Sequence, residues 1–88
     1  MNKQAKRAKL RQIIELFARN ISSPVPEVLL MFGVIKQAIL DTRDQEPIYR
    51  RDAINFFLSG RHHLFCDLVG LDGEWVREVL RDHGVIEY

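Results

Sequence analysis

The residues with the widest chemical repertoire are His62, His63, Cys66, Asp67 and His83, all in the C-terminal third of the chain. His62 and Cys66 stand four apart, as do His63 and Asp67, a spacing that sets each pair on one face of a helix. Imidazole, thiolate and carboxylate all ligate zinc, but a zinc site needs three or four such groups to converge. His83 would have to arrive from a separate helix, and the chain has a single cysteine, so no metal site is expected. As a nucleophile pair, cysteine and histidine would need a cleft, an oxyanion donor and a third, orienting group, and no pattern supplies them. There is likewise no Gly-rich phosphate loop and no H-E-x-x-H motif. The sequence therefore predicts no enzyme and no cofactor. It gives Cys66 a packing role, as the small residue buried where two helices cross.

The second set of chemically capable residues is ionic. Residues 1–20 carry Lys3, Lys6, Arg7, Lys9, Arg11 and Arg19 against a single acidic residue, Glu15, whereas residues 61–88 carry three basic and six acidic residues. Cations in such a run contact nucleic-acid phosphates or cover an ordinary solvated helix face. Lys3, Lys6, Arg7, Lys9 and Arg11 are the candidate phosphate contacts.

Residues 62–83 carry the spacing of a helix-turn-helix unit. A small residue, Cys66, precedes the turn glycine Gly70 by four positions, and apolar Val76 follows it by six. Val69, Leu71 and Val79 are apolar, as the inner faces of two crossing helices require. Asp72 suits the N-cap of the second helix, and Gly84 its stop, with Arg81 and His83 in the last turn. The second helix would turn Arg77 and Arg81 toward a DNA groove. It also offers Asp72, Glu74 and Glu78, so phosphate attraction would have to come from the N-terminal residues. Trp75, one position before Val76, is expected to be partly buried.

The elements that must position these groups read as helices throughout. Between Lys3 and Arg19 there is no proline or glycine, and Leu10, Ile13, Ile14 and Phe17 recur at helical spacing. Residues 1–9 either fray or extend as a basic arm. Ser23 is a candidate N-cap with Pro24 in the first turn of a helix over about Glu27 to Leu40. Val28, Met31, Phe32, Ile35 and Ile39 form its inner stripe, while Leu29, Leu30 and Val34 spread apolar surface around its other sides. Such a helix is either the core of the bundle, the preferred reading for so small a protein, or meets a partner through Leu29, Leu30 and Val34. That partner would be another protein, or a second copy forming a homodimer. A third helix follows Pro47 and stops at Gly60, with Tyr49, Ala53, Phe56 and Phe57 on one side. No segment has strand periodicity, so the expected fold is an all-α bundle of about five helices in a single domain, 1–88. The longest strongly apolar run, Val28 to Ile35, is too short to span a bilayer, and no signal-peptide core follows the basic start. No membrane partner and a cytoplasmic location are expected.

The run from Asp67 to Arg77, together with Ala53–Ser59 upstream, resembles short, mostly uncharacterised phage and prophage proteins. Those combine an aromatic-rich helix, a cysteine followed by a Leu-x-Gly-Leu-Asp turn, and a Val-Arg helix. The likeness covers residues 50–81 and implies a phage or prophage origin more than a biochemical activity. By helix-turn-helix spacing the chain also resembles phage regulators and packaging-initiation subunits. The expected function is DNA binding through that unit and the basic N-terminal helix. The alternative is a non-enzymatic protein-binding module that engages a host or phage protein, as the resemblance implies, through its apolar helix 27–40 or its acidic C-terminal helix.

Overall fold

The computed structural model describes the backbone of residues 3–87 and the side chains of residues 9–87. Five helices follow one another, α1 (Lys3–Ala18), α2 (Pro26–Asp41), α3 (Pro47–Leu58), α4 (His62–Val69) and α5 (Gly73–Asp82), and the described residues contain no strand. The all-α expectation is met. α2 packs against α1, α3 and α4, and α5 closes the bundle against α4 and α1. Among the described residues no helix is long and apolar enough to cross a membrane.

Local chemistry sets most of the boundaries. α1 ends where Asn20 folds back, its side-chain amide donating to the Leu16 carbonyl at 2.8 Å. α2 begins two residues later than Ser23 would start it. Its N-cap is Val25, which offers no side-chain bond, and Pro26 occupies the first turn, where its missing N–H leaves no orphan. The far end of α2 is closed by Thr42, which is fully buried and donates its hydroxyl to the Ile39 carbonyl at 2.6 Å. Gly70 terminates α4 at φ 80, the left-handed conformation that glycine adopts without steric cost, and the Leu71 N–H bonds the Cys66 carbonyl at 2.8 Å. Asp72 caps α5, accepting the N–H groups of Glu74 and Trp75 on Oδ1. A second left-handed glycine, Gly84 at φ 71, ends α5, and the Val85 N–H reaches back to the Leu80 carbonyl at 2.8 Å.

Leu10, Ile13, Ile14 and Phe17 from α1, Phe32, Ile35 and Ile39 from α2, Phe57 from α3, Cys66 and Val69 from α4 and Val76 and Leu80 from α5 form one buried cluster. Val85 and Ile86 complete it, so the C-terminal tail is part of the core. Arg43, between α2 and α3, clamps that tail by donating to the Gly84 carbonyl at 2.8 Å and the Val85 carbonyl at 3.3 Å. Tyr49 does not join the inner side of α3: it is exposed, and Ala53 and Phe57 fill that side.

α2 is the central helix of the bundle, as expected, but its apolar surface is not all buried. Leu29, Leu30 and Val34 remain 48%, 68% and 38% exposed. Phe32, Ile35 and Ile39 carry the side of α2 that packs into the core, and Val28, Met31 and Ala38 border it.

Candidate interaction faces

The junction of α3, α4 and α5 gathers His62, His63, Glu74 and Arg77. Arg77 projects from α5 to the end of α3, where it donates to the Leu58 carbonyl at 3.1 Å. Its other terminal nitrogen pairs with Glu74 one turn back, and its side chain is only 17% exposed. The guanidinium hydrogen bonds hold Glu74 below the usual carboxylate range, with the positive charge of Arg77 adding to the effect. Arg77 thus satisfies a carbonyl that the end of α3 leaves without a helical donor, and its fork is engaged within the protein. Arg81, one turn further on, is half-buried. The exposed residues of α5 are Glu74, Glu78 and Asp82, an acidic set.

His62 is fully buried at the start of α4. Its Nε2 lies 2.9 Å from the Gly73 carbonyl, and since a carbonyl only accepts, Nε2 carries the hydrogen. Nδ1 is then a bare acceptor, buried without a hydrogen-bond partner. Phe56 and Phe57 flank the ring, with centroids at 6.3 and 5.3 Å. Burial pushes the imidazole pKa below its ordinary value, and the charges of His63 and Arg77 push the same way against the Gly73 and Phe56 carbonyls. His63 faces outward and meets Glu74 at 3.2 Å.

His62 and Cys66 do share a face, the buried one, which makes them packing residues. Burial, with help from the charges of Asp67 and Asp72, raises the Cys66 thiol to about 11, far from nucleophilic. No group of three metal-ligating side chains converges among the described residues.

The basic helix and the last helix do meet. Phe17, in the last turn of α1, stands edge-on to Trp75, in the first turn of α5, with ring centroids 5.3 Å apart. Lys9 and Arg11 are exposed on α1, and at about 1.5 Å per residue they lie roughly 9–12 Å back along the axis from Phe17. α1 therefore runs beside α5 with its described cations displaced from the end of α5 that would enter a groove first. The side chains of Lys3, Lys6 and Arg7 lie outside the described residues.

The remaining face is apolar. From Val28 to Ile35 α2 carries no charge. On its open side Leu29, Leu30 and Val34 surround Gly33, where an added Cβ would meet nothing within 4 Å. On α4, Leu64 and Leu68 are also exposed. These two escaped the sequence reading, although the signal was present: with Cys66 pointing inward, residues two positions either side on a helix point out. A separate cleft between α1 and α2, lined by Leu10, Arg11, Ile14, Glu15, Lys36 and Leu40, mixes both signs of charge and contains neither histidine nor cysteine. Comparisons with protein-family models, curated proteins and solved structures find no match.

Proposed function

We propose that this chain is a small, non-enzymatic protein-binding module that docks the outer face of α2 onto an apolar helix of a partner protein. The observation that carries the reading is the exposure of Leu29, Leu30 and Val34 around Gly33. A glycine inside a helix costs roughly 0.5–1 kcal/mol relative to alanine. No internal neighbour requires it here, because the space above its Cα is open. A notch flanked by leucine and valine, without a charge for two helical turns, suits the close approach of a second apolar helix. The resemblance over residues 50–81 would make the partner a phage or host protein.

DNA binding is the second reading, favoured by the contact of α1 with α5, which brings the basic helix to the helix-turn-helix-like segment. It ranks below the first because Arg77 is engaged by Leu58 and Glu74, and α5 presents Glu74, Glu78 and Asp82 outward. Groove binding relies on unpaired cations near phosphate.

One comparison separates them. Immobilised wild-type protein and Leu30→Asp are offered host lysate, and in parallel each is titrated with duplex DNA at physiological salt. The first reading expects a protein that wild type retains, that binds again after purification, and that Leu30→Asp loses at unchanged melting temperature. Retention unaffected by Leu30→Asp, or no protein retained, overturns it. A DNA complex that weakens steeply with salt and on replacing Lys9 and Arg11 by alanine would establish the second.

A further inference from the structure

The exposed face of α2, on which docking to a partner rests, also matches itself. We infer that where no other protein covers this face a second copy of the chain does, with the two α2 helices antiparallel and the Gly33 of each taking side chains of the other.

Symmetry sets the first requirement. A two-fold axis through a face brings each group near its own copy, so a charge beside the axis would oppose itself. The run from Val28 to Ile35 carries none. The first charges beyond it are Glu27 on one side and Lys36 on the other, both exposed. A parallel pair would set Glu27 level with Glu27 and Lys36 level with Lys36. An antiparallel pair centred between Met31 and Phe32 sets Glu27 of each copy level with Lys36 of the other, so opposite charges share each end.

Shape sets the second. Leu30, Gly33, Val34 and Gln37 are spaced as the four corners of a hole on a helix surface, and Pro26, Leu29, Leu30 and Gly33 form the next hole. In the antiparallel register Leu30 of one copy enters the first hole of the other, and Val34 enters the second. Gly33 is a corner of both holes, and a Cβ added there would meet nothing within 4 Å, so both side chains find room. The Gln37 amide is held by Asp41 of its own helix at 2.8 Å.

Size sets the strength. At about 1.5 Å per residue the strip from Pro26 to Gln37 is roughly 16 Å long, on a helix roughly 10 Å across. It falls far short of the roughly 800 Å² per partner of a standard interface. The pairing is therefore weak, and a better-fitting helix of another protein displaces the second copy from Leu29, Leu30 and Val34.

Sedimentation equilibrium from roughly 10 μM to 1 mM, the range of so small an interface, compares wild type with Leu30→Asp and Gly33→Leu. Wild type should pass from one chain toward two, and Leu30→Asp should stay at one. Gly33→Leu adds apolar surface yet should pair about tenfold more weakly, because its side chain fills both holes. Register is read by mixing Gln37→Cys carrying a nitroxide with ¹⁵N-labelled wild type, the buried Cys66 taking no label. Broadening in the wild-type copy should be strongest at Glu27 and Val28. Wild type monomeric at the highest concentration, a tighter Gly33→Leu pair, or broadening strongest at Gln37 overturns the proposal. A monomeric wild type that still captures a lysate protein through Leu30 ends self-pairing and leaves docking standing. A dimer that captures none does the reverse.

Discussion

Gly70 lies directly against Ser22: a Cβ added to Gly70 would stand 2.6 Å from the Ser22 Cβ. The Ser22 N–H donates to the Val69 carbonyl at 2.8 Å, so the segment between α1 and α2 is fastened to the end of α4 at the same point. Gly70→Ala therefore meets two penalties. Its φ of 80 costs a side-chain-bearing residue about 1–2 kcal/mol, and the methyl group must displace Ser22 and strain that hydrogen bond. Gly84→Ala has the same kind of backbone, φ 71, but open space around it. Thermal unfolding should show Gly70→Ala losing roughly twice as much as Gly84→Ala, a fall in Tm of about 10 °C or more. Equal losses would mean that the Ser22 contact contributes nothing.

Arg77 makes a second prediction, because it joins α5 to the end of α3. Arg77→Met keeps most of the apolar stem but removes the donor to the Leu58 carbonyl and the partner of Glu74. The loss should be about 1–3 kcal/mol, the range for a hydrogen bond from a charged group at a partly buried site. In chemical denaturation the midpoint should fall with little change in slope. A variant as stable as wild type would show that Leu58 and Glu74 do not hold Arg77.

The contrast between Arg77 and Asp72 indicates how far the sequence could be read. Asp72 as a cap and Gly60, Gly70 and Gly84 as stops involve partners within a few residues, and each is found where the local pattern puts it. The Arg77 partner, Leu58, is nineteen residues away, and its position depends on how α3 and α5 pack. Arg43 bonds the tail across more than forty residues, again without a local signal. Periodicity marked the inward stripe of α2 correctly but could not distinguish a second buried face from an exposed one, since Leu29, Leu30 and Val34 are apolar in either case. Val25 rather than Ser23 stands at the cap of α2, because Pro26, with its fixed backbone angle, starts the helix without a side-chain bond.

Cys66 should be nearly inert in the native protein. With the thiol raised to about 11 and no exposed surface, roughly one molecule in a thousand is thiolate at pH 8, and the sulfur is out of reach of a reagent. Iodoacetamide at pH 8 should label the folded protein only at the rate of opening, and label it fully within minutes once guanidinium unfolds it. Rapid labelling without denaturant would overturn the packing role of Cys66 at the α4–α5 crossing.

Position 33 and its neighbours supply the last prediction, which concerns stability alone and so stands apart from any partner. Gly33→Ala adds a methyl group where nothing lies within 4 Å, on a helix, and should raise stability by about 0.5–1 kcal/mol. Leu30→Ser removes a side chain that is already 68% exposed and should change stability by no more than about 0.5 kcal/mol. Ile35→Ala, one turn away on the covered side and fully buried, should cost about 2–5 kcal/mol. Denaturant titration of the three variants at one temperature ranks them. If Leu30→Ser proved as damaging as Ile35→Ala, the outer side of α2 would be covered within the folded protein, and the protein-binding reading would lose its surface. If Gly33→Ala were destabilising, the glycine would have an internal purpose. The order gain, near-zero, large loss is what an α2 buried on one side and open on the other requires.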